Sequence, residues 1–87
     1  MKAVITVIGS DKPGIIAEIT ALLAKRGVNI LDISQTIMQE LFTMIMMADL
    51  RGASFDQLHQ ELTELGAQIG VSIRLQNTDI FEAMHRI

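Results

Sequence analysis

The chain has no cysteine, no tryptophan and no tyrosine, and its 87 residues include only three phenylalanines and one proline. Without cysteine there is no disulfide staple, no thiolate nucleophile and no thiolate metal site, which excludes a Cys-x-x-Cys metal carrier. With so few rings, Phe42 is the only aromatic in any predicted strand, so stacking of bases on central strands is out of reach. Positive charge is scarce too: seven Lys and Arg against ten Asp and Glu give a formal net charge of −3, and Lys25-Arg26 is the only adjacent basic pair. A phosphate-backbone footprint is missing, and nucleic acid is not expected as a direct partner. No apolar run approaches about 18 residues, the length that marks a transmembrane helix, so no membrane partner is expected.

What remains is aliphatic. Hydrophobic residues make up 49% of the chain, so a core must be built from Ile, Leu, Val and six Met. A chain of this length buries only about 60–65% of its unfolded surface and is marginal alone, which favours oligomerisation. The start Met1–Ile8 superficially resembles a signal peptide, but the apolar run is short and closes at Gly9-Ser10-Asp11 without a small-residue cleavage pattern. It reads as a strand, and the expected compartment is the cytoplasm.

The hydrophobic period alternates along the chain. Residues 2–9 have strand character on both faces, which suits a central strand. From Gly14 the period changes: Ile15, Ile16, Ile19, Leu22 and Leu23 make a helical stripe over roughly 13–26, closed by Lys25-Arg26 and Gly27. Asn29 to Met38 returns to strand spacing and predicts an edge strand. Its Leu31, Ile33 and Ile37 are expected on the face shared by Asn29, with Asp32, Ser34 and Thr36 on the other. Phe42–Ala48 is apolar on nearly both faces and belongs inside the sheet. Gln39-Glu40 must turn the chain between these strands without the Asn-Gly or Asp-Gly chemistry of tight hairpins. Ser54, followed by Gln57, reads as a capping box opening a second helix along Phe55, Leu58, Leu62, Leu65 and Ile69, which Gly70 ends. Val71–Leu75 alternates as a last strand. The sum is an α+β, ferredoxin-like βαββαβ fold over a single domain, 1–87, with a four-stranded antiparallel sheet and both helices on one face. Ile80, Phe81, Met84 and Ile87 recur at helical spacing and predict a short C-terminal helix. The other face of this sheet is apolar along the first and third strands, which calls for cover by that helix or by a second subunit.

One stretch carries chemistry. Ser10-Asp11-Lys12-Pro13-Gly14-Ile15 leads into the first helix, and Gly27-Val28-Asn29-Ile30 follows its end. A helix start offers backbone N–H groups and partial positive charge to a carboxylate, while Asp11 and the Asn29 side-chain oxygen suit an ammonium group. Plainer readings stay open: Asp11 as the N-cap of the helix, Asn29 as a turn residue, and Gly14 small only for close packing. No nucleophile, base and oxyanion donor assemble into a catalytic site, and neither His59 nor His85 has clustered carboxylates at metal spacing. No enzyme activity, cofactor or metal is expected. An acylphosphatase-like enzyme needs an arginine in the loop after the first strand, where this chain has Asp11 and Lys12.

Asp11-Lys12-Pro13-Gly14, together with Gly27-Val28-Asn29-Ile30, resembles the ACT domain family, small regulatory modules found on many amino-acid metabolic enzymes. Val4–Gly9, Asn29–Thr36 and Phe42-Thr43-Met44 look like the free-standing ACT proteins similar to the glycine cleavage system transcriptional repressor. The resemblance implies a homodimer that binds a small-molecule ligand, an amino acid, between the first loop of one subunit and the second strand of its neighbour, and that signals to a protein partner. It implies ligand contacts at Asp11, at the backbone of Gly14 and Ile15, and at Asn29. Asp11 stands where some amino-acid binders have Asn, and Gly9 where some have His. The alternative is a structural dimerisation or protein-interaction module without a functional ligand site.

Overall fold

The computed structural model describes residues 1–78, so the predicted C-terminal helix lies outside the described residues. The elements run β1 (Lys2–Ser10), α1 (Ile15–Lys25), β2 (Asn29–Met38), β3 (Leu41–Asp49), α2 (Phe55–Ile69) and β4 (Val71–Asn77). The sheet order is β2-β3-β1-β4, with every neighbouring pair antiparallel. This is the ferredoxin-like arrangement that the alternating periods predict, with β1 and β3 central and β2 at an edge.

Strand alternation decides which side chains meet the helices. Ala3, Ile5 and Val7 of β1 share a face with Phe42, Met44, Met46 and Ala48 of β3, and all seven are buried. Ile15, Ile19 and Leu23 of α1 and Leu58 and Leu62 of α2 close this layer from above. The Ser54 hydroxyl accepts a hydrogen bond from the Gln57 N–H at 3.3 Å, so the capping residue read from the sequence does start α2. On the opposite face, Val4 is fully buried, whereas Ile8, Leu41 and Ile45 are exposed.

β2 departs from the expected alternation. Ile30 pairs with Ala48 and Asp32 with Met47, which leaves Leu31 as the extra residue of a β-bulge. One inserted residue flips the side chains that follow it. Asn29 therefore shares its face with Asp32, Ser34 and Thr36, and not with Ile33 and Ile37. Ile30, Ile33, Gln35 and Ile37 lie on the helix side, opposite Ala48, Met46, Met44 and Phe42. A single sequence carries no period-two signal for such an insertion.

The hairpin between β2 and β3 is a two-residue turn in which Gln39 and Glu40 both have positive φ, 48° and 72°. This backbone matches the twist of paired strands, which is why Asn-Gly usually occupies it. Here two side-chain-bearing residues sit where the left-handed conformation costs about 1–2 kcal/mol each. The Glu40 carbonyl accepts a hydrogen bond from the Asp11 N–H at 2.6 Å, tying the turn to the loop after β1. Replacing Gln39-Glu40 by Asn-Gly keeps that carbonyl and is expected to raise the unfolding free energy by about 1 kcal/mol or more, read from urea unfolding midpoints at an unchanged m-value.

The end of α1 is fastened to α2 by a two-pronged ion pair. The Arg26 Nε–H donates to Glu61 Oε1 at 2.8 Å, and Nη2 donates to Glu61 Oε2. Both side chains keep partial solvent contact, at 33% and 23% exposure. The hydrogen bonds from Arg26, reinforced by its charge and that of Lys25, hold the Glu61 carboxyl below its ordinary value against a partial desolvation that opposes them. A carboxyl whose folded pKa is depressed contributes stability above its unfolded pKa and loses it as pH falls through the folded value. The expected outcome is that Glu61→Gln loses stability relative to the parent chain at pH 7, and that the gap closes as chemical unfolding is repeated down through the acidic carboxylate range.

Candidate functional site

β1 ends at Ser10, opposite Leu41, and the next four residues must cross from the sheet to α1. The crossing is possible because Gly14, at φ 89° and ψ −3°, adopts the left-handed conformation and serves as the N-cap. No side chain caps the helix. Asp11 is therefore not the N-cap, which removes the plainest structural explanation for that residue. The first turn of α1 presents its backbone N–H groups without a side-chain acceptor, and partial positive charge gathers there.

A cleft of about 210 Å³ opens at this point. The loop contributes Asp11, Lys12 and Gly14, the first turn contributes Ile15, Ile16 and Ala17, and the sheet contributes Gln35 and Phe42. Ile15 and Phe42 are buried and make an apolar floor, while Asp11 and Gln35 are exposed at the rim. Lys12 is turned away: its Nζ lies 2.7 Å from where a Cβ on Gly70 would stand. Gly70 closes α2 in a left-handed conformation, so the ammonium sits at the negative end of that helix. The arrangement suits a small zwitterion, with a carboxylate toward the helix start and an ammonium toward Asp11.

Three of the four residues expected in the site, Asp11, Gly14 and Ile15, come together in this cleft. Asn29 does not join them within one chain. It pairs with Asp49, which pairs with Lys2, and so lies at the opposite end of the sheet, roughly 26 Å away along eight strand residues. Gln35 was missing from the expected set, although its sequence signal is visible: it is the polar residue between Ile33 and Ile37 at alternating positions. Gly9 is explained by packing, since a Cβ there would stand 2.6 Å from Val71 Cγ1 on the neighbouring strand. A histidine at that position does not fit this sheet. A larger hollow of about 450 Å³ between the outer faces of α1 and α2 is rimmed by Glu18, Lys25, Glu61 and Glu64. Among the described residues, no group of three or more His, Asp or Glu is placed to hold a metal.

A family model for the ACT domain matches residues 2–76. The chain belongs to the ACT domain family. It is 57% identical over 89 residues to a UPF0237 protein of Clostridium acetobutylicum, covering the whole of both chains. Among solved structures, it is similar to an ACT domain protein from Streptococcus pneumoniae, at 42% identity, 94% coverage of each chain and a TM-score of 0.84. It is also similar to a protein assigned as a glycine cleavage system transcriptional repressor, at 28% identity and a TM-score of 0.79, covering 86% of this chain and 44% of that one. ACT domains are ligand-binding regulatory modules, often amino-acid sensors, and they commonly dimerise. Family membership points to a regulatory module. No described helix is long and apolar enough to cross a membrane.

If Asp11 faces a ligand and not the helix end, its removal leaves folding untouched. Asp11→Ala is expected to keep the unfolding free energy within about 0.5 kcal/mol of the parent chain, whereas loss of a capping Asp costs about 1 kcal/mol. Urea unfolding distinguishes the two.

Proposed function

We propose that this protein is a homodimeric sensor that binds a small metabolite, an amino acid, at the start of α1 and reports its occupancy to a protein partner. The observation that carries this reading is the cleft itself, an uncapped helix start beside an exposed carboxylate with an apolar floor. Helix-start N–H groups and partial charge favour the ligand carboxylate, and Asp11 favours its ammonium. Membership of a family of ligand-binding regulatory modules supports the same assignment.

The second subunit follows from β2. This edge strand is ten residues long, and Leu31, Ile33, Ile37 and Met38 are all exposed along it. Pairing two such edges antiparallel about a twofold near the middle of β2 satisfies their open backbone groups and buries these side chains. The same twofold carries the start of the partner subunit's β2, which bears the partner subunit's Asn29, to the end of the sheet where this cleft opens. Asp11, Gly14 and Ile15 of one chain and Asn29 of the other then lie at the same end of the joined sheet, with Asn29 on the face away from the helices. A ligand held across the interface stabilises the dimer, or one arrangement of it, by its differential affinity, and the changed surface is what a partner protein reads.

A thermal-shift screen against the twenty amino acids and common metabolites, run beside Asn29→Ala and Asp11→Ala, tests this. A ligand at about 100 times its Kd is expected to add roughly 2.7 kcal/mol of stability in the parent chain, and each variant is expected to lose most of that gain. A flat screen from a well-folded dimer removes the sensor reading and leaves a dimerisation module.

A further inference from the structure

The cleft carries a feature that the carboxylate and ammonium contacts leave unused. On the helix side of β2, Ile33, Gln35 and Ile37 succeed one another opposite Met46, Met44 and Phe42. Ile33 and Ile37 remain aliphatic at 42% and 50% exposure, so exposure alone does not account for a polar residue between them. Gln35 is the member of the row that lines the cleft, in company with the buried side chains of Ile15 and Phe42.

The neighbouring charges are already placed. Lys12 carries its ammonium to the end of α2 beside Gly70, and Asp11 belongs to the loop where a ligand ammonium is read. A side chain reaching toward Gln35 therefore meets an uncharged group with one acceptor oxygen and two N–H donors. That chemistry matches a hydroxyl or another carboxamide, leaves an ionised side chain uncompensated, and gives an aliphatic one no polar contact. Resting on the amino-acid reading above, we propose that Gln35 determines specificity and that the ligand is an amino acid with an uncharged polar side chain, either a hydroxyl or a carboxamide.

Calorimetric titration of the full-length chain with serine, threonine, asparagine and glutamine, against valine, leucine, glutamate and lysine, tests the proposal. The tightest ligand is expected in the first group. Threonine and valine are nearly the same shape, so their affinity ratio isolates the hydroxyl. Gln35→Leu is expected to weaken the polar ligand about tenfold, the worth of one hydrogen bond, and to collapse the threonine-to-valine ratio while the dimer persists in sedimentation. Tightest binding by an aliphatic or charged amino acid, or a ratio that Gln35→Leu leaves unmoved while Asn29→Ala still abolishes binding, overturns the role of Gln35 and leaves the site standing. Absence of binding by every amino acid overturns both the role and the sensor reading.

Discussion

The open edge of β2 is the constraint on which the rest of this structure turns. β1 and β3 are satisfied on both sides within the chain, and the helices cover one face of the sheet. β2 has a partner on one side only, and it carries aliphatic side chains where an isolated edge strand would carry charge or proline. Its polar row of Asp32, Ser34 and Thr36 belongs to the face away from the helices, so it does nothing to discourage pairing on the helix side. An edge of this kind, with open backbone groups and exposed Ile side chains, is the basis of the homodimer proposed above, since a twofold can match open N–H groups with open carbonyls. In the proposed dimer, the placement of the cleft beside the same strand couples site and interface.

The loop that shapes the cleft is held at several points, none of them a helix cap. Its start is anchored by the hydrogen bond from Asp11 N–H to the Glu40 carbonyl, its end by the left-handed Gly14, and its flank by Lys12 at the end of α2. The turn that supplies the Glu40 carbonyl is itself in an unfavourable conformation. Strain beside this loop marks a position whose sequence answers to more than the turn's own stability. Moving the loop means moving the hairpin tip and the end of α2 with it, which ties the cleft to two neighbouring elements of the fold.

Most of the fold was legible in the sequence because the chain alternates clean periods with strong punctuation. The change from strand to helical spacing at Gly14, the Ser54 cap and the Gly70 stop each have a local physical cause, and each appears where the pattern places it. The bulge at Leu31 was not legible, because an inserted residue reads as ordinary alternation until its partner strand is known. That one residue changed the face assigned to Asn29. The turn at Gln39-Glu40 was placed correctly by elimination, although its residues hide the conformation they adopt. Of the proposed site, Asp11, Gly14 and Ile15 lie in one cleft because they surround one helix start. Gln35 leaves a trace in the sequence as a polar residue between Ile33 and Ile37, but its place beside the cleft depends on the face that the bulge assigns to it.

Separating Asn29 from the other site residues has a thermodynamic consequence. A ligand that touched only the loop and α1 would stabilise one subunit and leave association unaffected. A ligand that needs groups from both chains binds the dimer alone, so its binding free energy appears directly as association free energy. The sensitivity of such a device is set by how weak the unliganded edge pairing is, since a dimer already saturated at working concentration has no population left to shift. Polar Gln35 between exposed Ile33 and Ile37 lowers the apolar area that β2 offers to its copy. In the proposed dimer, the residue proposed to read the ligand also limits how tightly the empty interface closes, so that recognition and responsiveness would arise from the same side chain.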